Sequence, residues 1–375
     1  RDAEGDVLGL KYGLSDAELE NYFTKLNYDF DDEKYLQFTF NYYESQQKSD
    51  LVDVVGSVNS GQKTYAIVDP ENKPKLGEPQ GPKGNKNFML KYVDEALLEN
   101  TQLTVDLYKQ NIENVFFYSP VLANPEAGYD GGQSVIKSDK QGLRATFNSV
   151  VDFDNVEATF IYGLDVLNDV TAQPLVDRRF WVPEMDMSNI AGFLQSKFVV
   201  NQDWIVKAGL RRESIDLSVD DYTTLRLCRK VDQCSVPVDV KGGDLNYDAT
   251  TYNIALRYNA HEIFSPFISY SEGADISDLG RLLRTATVTD IEDIHTEASI
   301  IKNTEIGFTS QFSDVRVEFS AYRSTSELGT TNKFDEKTGV YMPVRAPQKI
   351  WGYEALVVYP VNEQIDLAAS HSWVE

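Results

Sequence analysis

Residues whose types could do chemistry are few in this chain, and they do not converge. The three histidines, His261, His295 and His371, lie far apart in sequence, and His261 falls in a short polar turn. There is no Gly-Lys-Ser/Thr phosphate loop, no Cys-x-x-Cys pair and no His-Glu-x-x-His motif. Acidic pairs abound, as they must among 59 Asp and Glu, so none marks out a glycosidase. No enzymatic activity is expected. Cys228 and Cys234 stand close together inside a polar stretch, Leu227-Cys228-Arg229-Lys230-Val231-Asp232-Gln233-Cys234. That placement predicts a disulfide formed in an oxidising compartment. A metal pair is the alternative, but no further Cys or His lies nearby to complete four ligands.

The chain carries a formal net charge of −24 over 375 residues, which argues against nucleic-acid binding. The acidity fits a solvated outer face. It also fits divalent-cation bridging to a lipopolysaccharide surface, or repulsion of unwanted anions. No run of 18 apolar residues exists, so no transmembrane helix is expected. A spanning β-strand needs only alternation, so a membrane stays open.

The elements that must position these residues are strands. Aromatic content is 12%, with Tyr and Phe common and Met and His scarce, a bias towards strands. Tyr22, Thr24, Leu26, Tyr28 and Phe30 alternate with Phe23, Lys25, Asn27 and Asp29. Leu36, Phe38, Phe40 and Tyr42 alternate with Gln37, Thr39, Asn41 and Tyr43. The pattern recurs at 102–107, 252–258 and 315–322. Period-2 alternation puts one set on each face of a sheet.

Tight polar turns at 31–33, 95–100, 152–155, 201–203, 259–262, 313–314 and 361–363 are separated by much longer stretches. Each stretch is read as a rising strand, a long loop and a returning strand. The outward loops are placed at 47–86, 118–133, 170–188, 219–245, 274–302 and 327–339, with a helix-like piece at 276–284. One strand is read as running from 340 to 359. Long loops at one end and short turns at the other suit an outer-membrane barrel better than a soluble sandwich. Tyr28, Phe30, Trp204, Tyr258 and Tyr359 near the turns suit an interfacial girdle. The reading is an all-β chain, a transmembrane antiparallel β-barrel with about fourteen strands present.

These blocks carry a family resemblance across nearly the whole chain. They are Lys25-Leu26-Asn27-Tyr28-Asp29-Phe30, Phe38-Thr39-Phe40-Asn41-Tyr42-Tyr43, Phe264 through Gly273, Asn303-Thr304-Glu305-Ile306-Gly307-Phe308, Phe319-Ser320-Ala321-Tyr322-Arg323, Gly352-Tyr353-Glu354 and Ser372-Trp373-Val374-Glu375. The chain resembles the barrel of a TonB-dependent outer-membrane receptor of the ferric-siderophore group, in character closest to hydroxamate or aerobactin-type receptors. The resemblance implies a 22-stranded barrel filled by an N-terminal plug. Residues 1–375 would then be its central part, without the plug and the last barrel strands. It also implies a Gram-negative outer-membrane location, a monomer, contact with lipopolysaccharide, and coupling to the TonB–ExbB–ExbD complex through the plug. Lumen-facing Lys25, Asp29, Arg316 and Glu318 would hold that plug.

A ferric siderophore brings its own iron ligands, so neither a cofactor nor a protein metal site is expected. The protein would supply aromatic walls and Arg donors for an anionic chelate. Candidates on loops and strand tops are Phe117, Tyr118, Tyr129, Arg178, Arg179, Phe180, Trp181, Tyr222, Arg281 and Arg284. The best cluster is Arg178-Arg179-Phe180-Trp181. The same residues could instead pack the loops together or anchor lipopolysaccharide. Val344-Arg345-Ala346-Pro347 is reminiscent of a haem-receptor box, but no Asn-Pro-Asn-Leu follows it. Other cargo (cobalamin, haem, an oligosaccharide), a passive porin, and a soluble β-rich binding module are the rival readings.

Overall fold

The computed structural model describes residues 17–47, 51–54, 56–63, 65–68, 78–230, 233–261, 263–276, 279–294, 298–335 and 340–375. Fourteen long strands form its frame: β1 (Ala17–Asp29), β2 (Lys34–Gln47), β3 (Asn85–Leu98), β4 (Thr101–Ser119), β5 (Gly132–Phe153), β6 (Val156–Pro174), β7 (Phe180–Val200), β8 (Trp204–Val219), β9 (Gly243–Tyr258), β10 (Phe264–Asp275), β11 (Ser299–Phe312), β12 (Val315–Ser326), β13 (Gln348–Asn362) and β14 (Ile365–Val374). Each pairs antiparallel with its sequence neighbour, so strand order in the sheet is chain order. Among the described residues the path is open: β1 pairs only with β2, and β14 only with β13.

Alternation decides which side chains share a face, and register lines them up between strands. Tyr162, Leu194, Leu210 and Tyr252 are successive cross-strand partners across β6 to β9. All four are exposed, although none is polar enough to seek water. On β6 this apolar face runs from Ala158 to Val166, about 26 Å along the strand, the scale of an outer membrane's apolar band. Its turn end carries aromatic pairs, with ring centroids 4.5 Å apart for Trp204 and Tyr258 and 5.0 Å for Tyr28 and Phe30. The opposite face carries ion pairs: Arg144 with Asp165 at 2.5 Å, Arg211 with the same carboxylate at 2.9 Å, Lys91 with Asp106 at 2.7 Å and Lys140 with Asp169 at 3.0 Å. Among the described residues no helix is long and apolar enough to cross a membrane.

Two expectations are corrected. The stretch 170–188 is mostly strand: β6 and β7 continue their pairing, with bulges near Val182, to a tip of only residues 175–179. Ladder hydrogen bonds join backbone to backbone, so pairing continues beyond the apolar band whatever the side chains. The strand expected at 340–359 is two elements. Val340–Arg345 pairs with Thr330–Asp335 in a separate hairpin, and β13 starts at Gln348. Pro347, which has no N–H for the ladder, stands at the break. The loop 47–86 holds a short hairpin, Leu51–Val54 with Tyr65–Val68, and lies partly outside the described residues, as does His295.

Candidate ligand-binding site at the loop end

Above the apolar band the strands keep their alternation but exchange its polarity. On β8 the outward set is Trp204, Val206, Ala208 and Leu210, and then Arg212, Ser214, Asp216 and Ser218. The inward set changes from Lys207, Arg211 and Glu213 to Ile215, Leu217 and Val219. β9 does the same: Tyr252, Ile254 and Leu256 face outward, while Tyr247 and Ala249 higher up are buried inward. Above the band the outward side chains are polar, and the apolar inner residues are covered by loops.

They are covered by two of them. Leu217, Val219, Val240, Tyr247, Leu283, Ala286, Ile291 and Ile294 form one buried core, with Met185 and Met187 of β7 against it. A short helix, α1 (Leu279–Arg284), presents Leu279, Leu282 and Leu283 to this core at helical spacing. The loop at 220–242 is tied to the loop at 276–298. The Lys241 N–H donates to Thr289 O (2.9 Å), and the Ile291 N–H donates to Lys241 O (3.1 Å). The Asp290 side chain accepts from the Glu292 N–H and pairs with Lys241, which together hold its carboxyl below the usual value.

A second small core joins the neighbouring loops. Leu122, Leu175 and Leu227 are buried together, with Trp181 and Leu225 packed on them. Arg179 is the clamp here. Its guanidinium donates to Leu122 O and Gly131 O, both at 2.8 Å, pairs with Asp177 at 2.6 Å, and lies 4.0 Å over the Tyr129 ring. The ring of Tyr118 covers Gly131 so closely that a Cβ there would meet it at 2.5 Å. Arg226 and Glu126 form an ion pair between two of these loops. Cys228 and Cys234 are disulfide-bonded and pair as a tiny hairpin beside this core.

The candidate residues thus divide. Tyr118, Tyr129 and Arg179 are brought together and brace loops. Tyr222 has its hydroxyl buried, donating to Leu283 O at 2.9 Å, and burial pushes that hydroxyl well above its ordinary pKa. Trp181 packs on the second core and carries Arg284, from α1, over its ring at 4.3 Å. Arg281 lies on the same helix turn as Arg284. Arg178, at the hairpin tip with φ 75°, is exposed, as are Phe180 and Phe117. Reading the sequence misses Leu122, Leu175, Leu283 and Ile291, the residues that hold the loops down. The signal that marks the inward-folding region is the reversal of phase beyond Arg212.

The sequence matches the TonB dependent receptor-like, beta-barrel family over residues 10–374. It is 22% identical to the ferric aerobactin receptor of Klebsiella pneumoniae over 89% of this chain and 49% of that protein. It is 19% identical to the rhizobactin receptor of Rhizobium meliloti over 93% of this chain and 50% of that protein. The chain therefore spans about half the length of the curated relatives it matches. Among solved structures the fold is similar to the copper transporter OprC, with TM-score 0.70 and 9% identity over 96% of this chain and 53% of that one. It is also similar to the ferric citrate transporter FecA, with TM-score 0.65 and 10% identity over 96% and 51%. With residues 10–374 matched, nearly its whole length, this chain belongs to the TonB-dependent receptor-like β-barrel family, whose members are transporters rather than enzymes.

Proposed function

We propose that this chain is the central barrel wall of an outer-membrane receptor that binds a ferric siderophore at its loop end and imports it by TonB-coupled transport. The observation that carries the reading is the mouth itself. Arg178 and Phe180 stand exposed at one hairpin tip, next to Trp181 with Arg284 stacked on it, in a chain of net charge −24. Basic and aromatic groups side by side suit an anionic iron chelate, to which Arg gives a fork of donors and aromatic rings give walls. The curated relatives are named as receptors for ferric aerobactin and rhizobactin, which supports the same cargo class.

In this reading iron enters as cargo inside its chelate. The two unpaired sheet edges join the remaining strands of a larger barrel, because open edges are strongly disfavoured in lipid. A plug fills the lumen and links the receptor to TonB–ExbB–ExbD. The exposed apolar band faces the lipid of a Gram-negative outer membrane and its lipopolysaccharide, and the receptor works as a monomer.

The test is uptake of radioactive iron by cells lacking their own receptors, with and without TonB, offered hydroxamate, catecholate and citrate-type chelates. TonB-dependent uptake of one chelate is the expected result. Correct insertion without uptake of any chelate overturns the iron reading.

A further inference from the structure

On β2 to β6 the outer edge of the apolar band follows the register of the sheet. Phe38, Leu90, Leu107, Leu143 and Val166 are successive cross-strand partners on the outward face. Two residues nearer the loops on each strand, the outward row is Phe40, Phe88, Lys109, Gln141 and Asn168. The first row is apolar throughout. The second turns polar at Lys109, the change that β8 makes between Leu210 and Arg212. Between the two rows lies a groove of about 510 Å³. Leu107, Leu143 and Val166 form its apolar side and remain exposed. Phe88 closes one end, its ring 4.8 Å from that of Phe40. Lys109, Gln141 and Asn168 form the rim towards the loops.

Each of these five strands has both its neighbours in the sheet, so the walls of the groove are complete within this chain. The groove is on the face turned away from the lumen, where a plug does not reach. Lys109 is loosely held. Its ammonium stands 3.5 Å from Asp139 Oδ1, with both side chains about half exposed, and Asp139 also accepts from Asn111 Nδ2 at 2.9 Å. Exposed pairs of this kind contribute little, so the ammonium is available to a second anion. An apolar trough with a cation at its lip, continuous with a lipid-facing band, matches one amphipathic occupant: an acyl chain in the trough and a phosphate at the lip.

We propose that this groove holds one molecule of the phosphorylated glycolipid of the outer leaflet, lipid A, an inference that rests on the outer-membrane reading above. One acyl chain lies on Leu107, Leu143 and Val166, and a phosphate meets Lys109 and Gln141. The polar rim is on the loop side of the trough, which selects a headgroup of the outer leaflet. The volume lies in the range of small-molecule sites. Covering the three exposed aliphatic side chains is favourable wherever water reaches the edge of the band, and a lysine binds phosphate as a point charge.

The test is native mass spectrometry of the purified full-length receptor, titrated in detergent with lipid A, with dephosphorylated lipid A and with phosphatidylglycerol. The wild type is expected to retain one lipid A in preference to the other two. Leu143→Trp fills the trough and is expected to cut that retention roughly tenfold, the scale of an overfilled apolar site. Leu194→Trp, on the same band but outside the groove, is expected to leave it unchanged. Lys109→Gln is expected to lose roughly tenfold for lipid A, the effect of one charge-assisted hydrogen bond, and nothing for the dephosphorylated form. Equal retention by the two Trp variants, a preference for phosphatidylglycerol, or an unchanged preference for phosphate in Lys109→Gln overturns the assignment. Membrane fractionation is scored separately. A receptor found in the outer membrane without groove-dependent lipid A loses the groove and keeps its location. One that binds lipid A through the groove but fractionates elsewhere keeps the groove and loses the outer-membrane reading.

Discussion

Tyr222 and Leu283 lie 61 residues apart, and the hydroxyl of one donates to the carbonyl of the other at 2.9 Å at the edge of the buried core. This bond fastens α1, and with it Arg281 and Arg284, to the loop that carries the disulfide. Tyr222→Phe keeps the ring and removes one of the carbonyl's two donors, the Ala286 N–H at 3.2 Å remaining, at a cost of about 0.5–1.5 kcal/mol. The expected outcome is faster proteolysis within 276–298, with barrel folding unchanged. Because burial raises the hydroxyl above its ordinary value of 10.0, this stabilisation is complete below pH 10 and is lost only as pH rises towards the folded value. Proteolysis rates should therefore be flat from neutral pH to 9 and climb beyond 10.

Arg178 and Arg179 are adjacent but answer to different physics. Arg179→Ala leaves the carboxylate of Asp177, itself 8% exposed, without its partner, a loss of about 3–5 kcal/mol for a buried pair. Loop order around 120–131 should fall, and chelate binding with it. Arg178→Ala touches no internal contact of that kind, so protease resistance should be unchanged. If Arg178 meets the chelate, affinity drops roughly tenfold, about 1.4 kcal/mol. A stable Arg178→Ala protein with native affinity removes that residue from the site.

The exchange of polarity along β8 locates the outer edge of the apolar band between Leu210 and Arg212. Leu164→Arg, on the band face of β6, should cost about 2–4 kcal/mol and impair assembly as read by heat-modified mobility. Ser214→Arg, outward but above the edge, should assemble normally. Equal effects at both positions contradict this boundary.

The disulfide closes a short loop, with its cysteines 6 apart in sequence. Chain entropy assigns such a closure about 2 kcal/mol. Cys228→Ser/Cys234→Ser should loosen the 225–235 tip and its packing on Leu122 and Leu175, seen as new cleavage there. The fourteen-strand frame and its detergent-extracted melting should not change.

Much was legible in the chain because alternation is local. Side chains two residues apart share a face whatever the rest of the molecule does, so Tyr22 to Phe30 or Tyr252 to Tyr258 announce a two-faced strand by themselves. Turn chemistry is local too, and it placed the short ends. The cysteine pair needed only proximity in sequence. The long-range arrangement was decided elsewhere. That 175–179 is a tip rather than part of a 19-residue loop follows from β6 and β7 continuing to pair, and pairing is a property of two strands, not of one. That Arg179 points into a clamp while Arg178 faces solvent depends on Leu122, Gly131 and Tyr129, about 50 residues earlier. Glu126 meets Arg226 across 100 residues of chain. The sequence by itself determined the strands, their two faces and the end at which loops gather. Only the tertiary structure decided which loop residues are buried as braces and which are left at the mouth, because burial there comes from loops that are distant in sequence folding onto a shared core.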